Sequence, residues 1–220
     1  MKTNLQWVTG NTKLAKGKYK IVGFGIPADF DFNNTNTCPG ALACKAVCYA
    51  KQGTYNFPAV KAARRKALKQ TQLKTFVDRA VKDLNYFLQK KKYNTVRIHD
   101  SGDFYSQEYL DKWKEIARRV PEMKFYAYTK AMHLNLFKDL PSNFNLVQSL
   151  GGKYDKLVDL NKSHSRIFTN DSARKQFGYV DGIVNDNAAI TGKIKIGLVY
   201  HGVKNLTEPQ KKYFKLPVVQ

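Results

Sequence analysis

The sequence predicts an α/β protein, a partial or open (βα) barrel with mainly parallel strands, on three observations. Strand-like and helix-like segments alternate at least three times with short connections, which favours a parallel sheet built from right-handed βα units. The 220 residues fall short of the ~250 of a closed eightfold barrel. All three cysteines lie in one loop directly after the first strand-like segment, and ligands of parallel α/β folds gather at the C-terminal ends of strands. A doubly wound sheet would satisfy the same alternation. One domain spanning 1–220 is expected.

Taken in order, residues 1–20 are polar, with Gly10, Gly17 and several lysines, and read as an irregular lead-in. Residues 19–25 form the first strand, stopped by Pro27; 31–37 have loop composition, rich in Asn and Asp that satisfy their own turns. The cysteine stretch 37–50 follows. Pro58 then opens a helical region, Pro being suited to a first turn. Beyond Leu73 the apolar residues Phe76, Val77, Ala80, Val81, Leu84, Phe87 and Leu88 recur at three- and four-residue steps, a core-facing stripe closed by Lys90, Lys91 and Lys92. Residues 94–99 are the second strand. Ser106 is an N-cap for a helix carrying Leu110, Trp113, Ile116, Ala117 and Val120, stopped by Pro121. Residues 124–129 are a third strand, 132–140 a short helix, 144–150 a fourth strand ended by Gly151, and 165–169 a fifth. Strand segments at 179–184 and 193–200 flank a loop-like Asn185-Asp186-Asn187.

Hydrophobic content of 43% suits a chain with a full core. No apolar run approaches the ~20 residues of a membrane span, and residues 1–10 lack the apolar region of a secretory signal. A cytoplasmic protein of a reducing compartment, with no membrane partner, is therefore expected, its thiols free for ligation. Lys and Arg number 38 against 17 acids, a net charge of +21. Such a field attracts polyanions, nucleic acid above all. Eleven Lys or Arg fall within 61–92 against Asp78 and Asp83. Mostly lysines, they suit contacts to phosphate as point charges rather than to bases; the alternative is a solvated helix face.

The chemistry centres on Cys38, Cys44 and Cys48, spaced C-x5-C-x3-C. Core cysteines have no reason to gather in one loop, and a disulfide would leave one thiol over. Three thiolates suit an iron–sulfur cluster with one iron left to a non-cysteine ligand. Zinc is the alternative and wants a fourth ligand, with His99 better placed for it than His133, His164 or His201. A second polar group, Arg97-Ile-His-Asp-Ser-Gly-Asp-Phe104, ends the second strand. Strand alternation places Arg97, His99 and Ser101 on one face. His99, Asp100 and Asp103 are the acid–base candidates there, although Asp103 also suits a helix cap. On the third strand Tyr126 and Tyr128 share a face, which either lines a polar cavity or lies partly exposed. Thr129 and Lys130 fall at that strand's C-terminal end.

Together, Phe24-Gly-Ile-Pro27, Thr37-Cys-Pro-Gly-Ala41, Cys44, Cys48-Tyr-Ala50, Ala62-Ala-Arg-Arg65, the segment 97–104 and Phe125-Tyr-Ala-Tyr-Thr129 resemble the gene product 88 family of phage and mobile-element proteins. The resemblance runs from about residue 20 to His201-Gly202 and implies a phage or prophage origin, hence the host cytoplasm. A wider resemblance is to radical S-adenosylmethionine proteins, which hold a [4Fe–4S] cluster on a three-cysteine loop after the first barrel strand. It implies Cys38, Cys44 and Cys48 as metal ligands and an oxidoreductase or transferase activity. It places S-adenosylmethionine against Ser101 and Asp103, with Tyr126, Tyr128 and Thr129 also in the cofactor site. The spacing departs from theirs, C-x3-C-x2-C. A basic nucleic-acid-binding protein with a purely structural metal is the other expectation.

Overall fold

The computed structural model describes residues 3–9, 18–29, 35–200, 207–209 and 211; Gly10, Gly17, most of the 31–37 loop, His201 and Gly202 lie outside them. Its strands are β1 (Trp7–Val8), β2 (Ile21–Phe24), β3 (Thr95–Ile98), β4 (Lys124–Thr129), β5 (Phe144–Ser149), β6 (His164–Phe168), β7 (Val180–Asp181) and β8 (Lys195–Val199). Its helices are α1 (Pro58–Thr71), α2 (Phe76–Lys91), α3 (Gln107–Arg119), α4 (Asp171–Gln176) and α5 (Asn187–Ile190). The strands form one eight-stranded sheet in the order β1-β2-β3-β4-β5-β6-β8-β7. Every pairing is parallel except the antiparallel β1–β2 edge.

Strands β2 to β6 are neighbours in space in the order of the chain, and helices α1, α2 and α3 pack on one face. Strand alternation builds that face: Val22, Phe24, Val96, Ile98, Phe125, Ala127, Phe144 and Leu146 all enter one core. At its centre Trp113 of α3 meets Phe24 at 5.3 Å, Phe76 at 5.6 Å and Trp7 at 6.3 Å, edge to face, the geometry ring quadrupoles favour. The intervening residues face the other way, where Ile21, Tyr126, Val147 and Ile196 meet Ala189 and Ile190 of α5. A doubly wound sheet would reverse its strand order midway; here the order changes only at the β8–β7 edge.

Local signals explain most boundaries. Pro58 stands in the first turn of α1. Ser106 caps α3, its hydroxyl accepting from the Tyr109 N–H at 3.1 Å. Lys92 ends α2 in the left-handed region at φ 59°.

Four expectations change. Residues 132–140 form turns rather than a helix. The carbonyls of Asn135 and Lys138 instead accept from the buried Lys114 ammonium at 2.9 and 2.8 Å, and Asp139 is left-handed at φ 50°. The strand at 179–184 shrinks to an exposed pair at the sheet edge, and α5 begins within the supposed loop at 185–187. The lead-in is not irregular throughout. Leu5 and Trp7 alternate into the core, and β1 is held by a carboxylate 76 residues further on. Asp83, fully buried, accepts from the Asn4 N–H (2.9 Å), the Leu5 N–H (2.8 Å) and the Trp7 indole (2.9 Å).

Charge-assisted hydrogen bonds of this kind contribute more than neutral ones, and their donors are stranded when the acceptor goes. Asp83→Ala should therefore cost about 3 kcal/mol, a fall in Tm of roughly 6–12 °C for a chain of this size. Asp78→Ala, which removes an exposed ion pair with Arg119 in the first turn of α2, should cost about 1 kcal/mol or less. Thermal unfolding followed by circular dichroism checks both; equal losses would mean that Asp83 is not the anchor.

Candidate functional site

The cysteine loop is fastened across the C-terminal ends of the strands. Thr37 donates its hydroxyl to the Pro27 carbonyl at 2.6 Å, and its own carbonyl accepts from the Asp103 N–H at 2.9 Å. At Gly40 the loop lies so close to β4 that a Cβ would come within 2.0 Å of the Lys130 carbonyl oxygen. Only glycine permits that approach. The Gly40 carbonyl accepts from the Lys153 N–H at 2.8 Å, and the Gly151 carbonyl accepts from the Cys44 N–H at 3.1 Å. The loop is thereby held to the segments that follow β3, β4 and β5.

These segments enclose a cavity of about 540 Å³. Cys38, Cys44 and Cys48 all line it, as do Asp100, Ser101, Asp103, Tyr128 and Thr129. The thiols and these polar residues thus line one cavity. The thiols are half-buried and none is in a disulfide. Cys38 sulfur accepts from the Asp29 N–H at 3.3 Å, and the Ala50 N–H donates to Cys48. Burial pushes the Cys38 thiol up to about 12, and the Asp103 carboxylate adds to the rise; burial raises Cys48 as well. Among the described residues no three His, Cys, Asp or Glu side chains converge on a point that could hold one metal ion.

The rim residues differ in what they leave unused. Asp103 accepts from the Thr129 hydroxyl (2.6 Å), the Lys130 N–H (2.8 Å) and the Phe104 N–H (2.7 Å). Burial pushes its carboxyl above the usual carboxylate range, and these hydrogen bonds oppose the rise. Ser101 donates to the Ile26 carbonyl at 2.7 Å. Ser101, Asp103 and Thr129 are therefore engaged with the protein itself. Asp100 pairs with Arg64 of α1 but leaves Oδ1 without a partner among the described residues. Tyr126, behind the cavity, donates to Asp186 at 2.7 Å, and Arg97 pairs with the same carboxylate at 2.9 Å. The buried Tyr128 hydroxyl has no partner among the described residues.

His99 departs from the strand alternation expected of it. It sits at φ 65°, in the left-handed region, just past the end of β3, and lines the thiol cavity alongside Arg97. The ring packs edge-on to Phe104 at 4.7 Å, with Nε2 3.0 Å from the Tyr109 hydroxyl. Burial lowers its pKa to about 3, so it is neutral at pH 7. Sequence reasoning missed Arg64, Tyr49, Tyr55 and Asp186. The Tyr49 hydroxyl donates to the Asp100 carbonyl at 2.5 Å. Its only sequence signal was its place beside Cys48. Asp186 lay in a stretch read as loop.

The sequence profile described as Gene product 88 matches residues 3–211. The chain belongs to the Gene product 88 family. Among its relatives, the Gene 88 protein of Mycobacterium phage L5 is 31% identical over 144 residues, 59% of this chain and 57% of that protein. The Gene 88 protein of Mycobacterium phage D29 is 28% identical over 177 residues, 69% of this chain and 72% of that protein. The chain thus spans little more than half the length of the first of these relatives. No solved structure matches it.

In this member of the Gene product 88 family, neutral His99 links stability to pH. Its folded pKa lies below the ordinary value near 6.5, so the unfolded chain takes up the proton first. The contribution is complete above pH ~6.5 and is lost as pH falls towards 3, by roughly 4–5 kcal/mol in all. His99→Gln keeps a hydrogen-bonding partner for Tyr109 and should flatten that slope in urea titrations at pH 7, 5 and 4. An unchanged slope would remove His99 as the cause.

Proposed function

We propose that this is an iron–sulfur protein in which Cys38, Cys44 and Cys48 ligate the cluster, [4Fe–4S] being the form that three cysteines and one open iron imply. The observation that carries the reading is the meeting of all three undisulfided thiols in one cavity at the strand ends. Two features of the donor set fit a cluster better than zinc. A zinc ion needs its ligands ~2.3 Å or less from one centre, whereas in a cluster each thiolate takes its own iron and the sulfurs need not converge. Cys38 and Cys48 also accept backbone N–H groups, the contacts by which proteins tune cluster sulfurs. His99, its ring packed edge-on to Phe104 and its Nε2 by the Tyr109 hydroxyl, supports a cluster over a Cys3His zinc site.

When bound, such a cluster supplies one-electron chemistry, and an iron free of protein ligands supplies an open coordination position. The chain's own residues do the rest. Lys51 and Lys130 lie near enough to Cys48 to favour its thiolate. Asp103 fixes the spacing between the cysteine loop and the end of β4 through its backbone and its carboxylate. Tyr128 and Asp100 Oδ1, without partners among the described residues, are polar groups that could orient a small molecule beside the thiols. S-adenosylmethionine is the molecule that the wider resemblance implies, and the strand order of the sheet suits the partial barrel of that class. On this reading the protein is phage- or prophage-encoded and works in the host cytoplasm, as its phage relatives favour.

A second reading, binding of nucleic acid, rests on exposure. Ten of the eleven Lys and Arg of 61–92 are exposed along α1 and α2, Arg64 alone being buried.

Anaerobically purified protein should carry iron and acid-labile sulfide in equal amounts, with the broad visible absorbance of a cluster. Cys38→Ala, Cys44→Ala or Cys48→Ala should each lose more than about half of the iron, each thiolate holding one iron. A change in the electron paramagnetic resonance spectrum on adding S-adenosylmethionine would extend the reading to that ligand. Stoichiometric zinc without sulfide would overturn the cluster. For the second reading, affinity for a short DNA or RNA duplex should fall steeply between 50 and 200 mM salt, roughly 10³-fold or more for six or more phosphate contacts; no binding at 50 mM salt would end it.

A further inference from the structure

A second cavity, of about 300 Å³, adjoins the thiol-lined one. The two share Lys51, Tyr55 and Ser101 in their walls. Four cations line the smaller cavity (Lys51, Lys61, Arg64 and Arg65), of which Lys51 is paired with Asp29 at 2.7 Å and Arg64 with Asp100, and no carboxylate lines it. Three of the four stand in the first two turns of α1, a helix of 14 residues. That placement runs against the macrodipole, which favours negative charge at a helix N-terminus and disfavours positive charge. The first turn holds no acidic residue, and the N-cap, Phe57, makes no side-chain cap. Neither of the usual means of satisfying a helix N-terminus is in use.

Arg64 supplies an independent observation. It is nine-tenths buried and lines this cavity. One guanidinium nitrogen is paired with Asp100, while its buried Nε has no hydrogen-bond partner among the described residues. Buried donors are rarely left in that state. An anion seated here would meet Lys61 and Arg65 near the positive end of the helix, beside the Arg64 guanidinium, a combination that binds phosphate.

We propose that this cavity seats the phosphate of a phosphate monoester, the rest of which passes Tyr55 into the thiol-lined cavity. The site stands apart from the cluster reading: it needs no metal, and its residues are none of the thiols. A nucleotide fits this division. Its phosphate takes the basic pocket, and its sugar and base reach the edge-to-face pair Tyr49–Tyr55, whose rings lie 5.8 Å apart.

The test is calorimetric titration of the full-length chain, at fixed ionic strength, with inorganic phosphate, adenosine 5′-monophosphate and adenosine. Phosphate and the monophosphate should bind saturably, the monophosphate more tightly, and adenosine should bind at least about tenfold more weakly than the monophosphate. Lys61→Ala/Arg65→Ala removes two exposed cations of the pocket and should weaken the monophosphate about tenfold or more. Lys90→Ala/Lys91→Ala removes the same charge from the far end of α2 and should change binding less than about twofold. Equal losses in the two variants, adenosine binding as tightly as its monophosphate, or no saturable phosphate binding would each overturn the proposal. Iron measured on the same preparations reports on the cluster separately, so failure of one reading leaves the other standing.

Discussion

Asp103 is the residue on which the arrangement of the site depends. Its backbone N–H holds the Thr37 carbonyl at the head of the cysteine loop. Its carboxylate holds Thr129 and Lys130 at the end of β4. One buried residue therefore sets the relation of three chain segments that are far apart in sequence. A carboxylate this deep in the protein is costly unless its lone pairs are occupied, and here three donors occupy them. That cost makes the clamp on β4 specific: a displaced end of β4 would leave the carboxylate buried without the Thr129 and Lys130 donors, while the loop is held separately through the Asp103 N–H.

The sheet separates the work of its two faces. On the helix side, aliphatic and aromatic residues from β2, β3, β4 and β5 interlock with α1, α2 and α3. On the other side Arg97 and Tyr126 reach Asp186, just before α5. A buried pair of this kind adds less to net stability than its short contacts imply, because both charges leave water. Removing one partner is a different matter, since the survivor stays buried. The consequence is positional: Asp186 ties the C-terminal third of the chain to β3 and β4 behind the thiols. Tyr49 and Tyr55 join this polar layer to the loop after β3 by donating to the Asp100 carbonyl at 2.5 and 3.3 Å.

Much of this could be read from the residues in order. Periodicity located α2 and α3, Ser106 marked a helix start, and alternation with flanking turn residues located β2 to β6 close to their observed limits. The gathering of thiols with the Ser101–Asp103 segment followed from one rule, that loops after parallel strands share an end of the sheet. The failures have physical causes. β1 owes its place to Asp83, whose role inside a lysine-rich helix has no local signature. The apolar run at 132–140 packs against the core without becoming a helix, because the Lys114 ammonium takes carbonyls a helix would use. His99 breaks strand alternation through a single backbone angle, and no residue-type preference anticipates a histidine there.

By itself the sequence determined the α/β class with a mainly parallel sheet, the count and clustering of the thiols, the strongly basic charge, and which strand ends carry polar residues. These depend on local periodicity and composition, which act over a few residues at a time. Tertiary structure alone decided which polar groups are spent and which remain. It tied Ser101, Asp103 and Thr129 into the scaffold, left Tyr128 and Asp100 Oδ1 without partners among the described residues, packed His99 on Phe104, and paired Arg64 with Asp100. The physical reason is that a hydrogen-bonding group's availability depends on its partners, and those partners here lie tens of residues away along the chain.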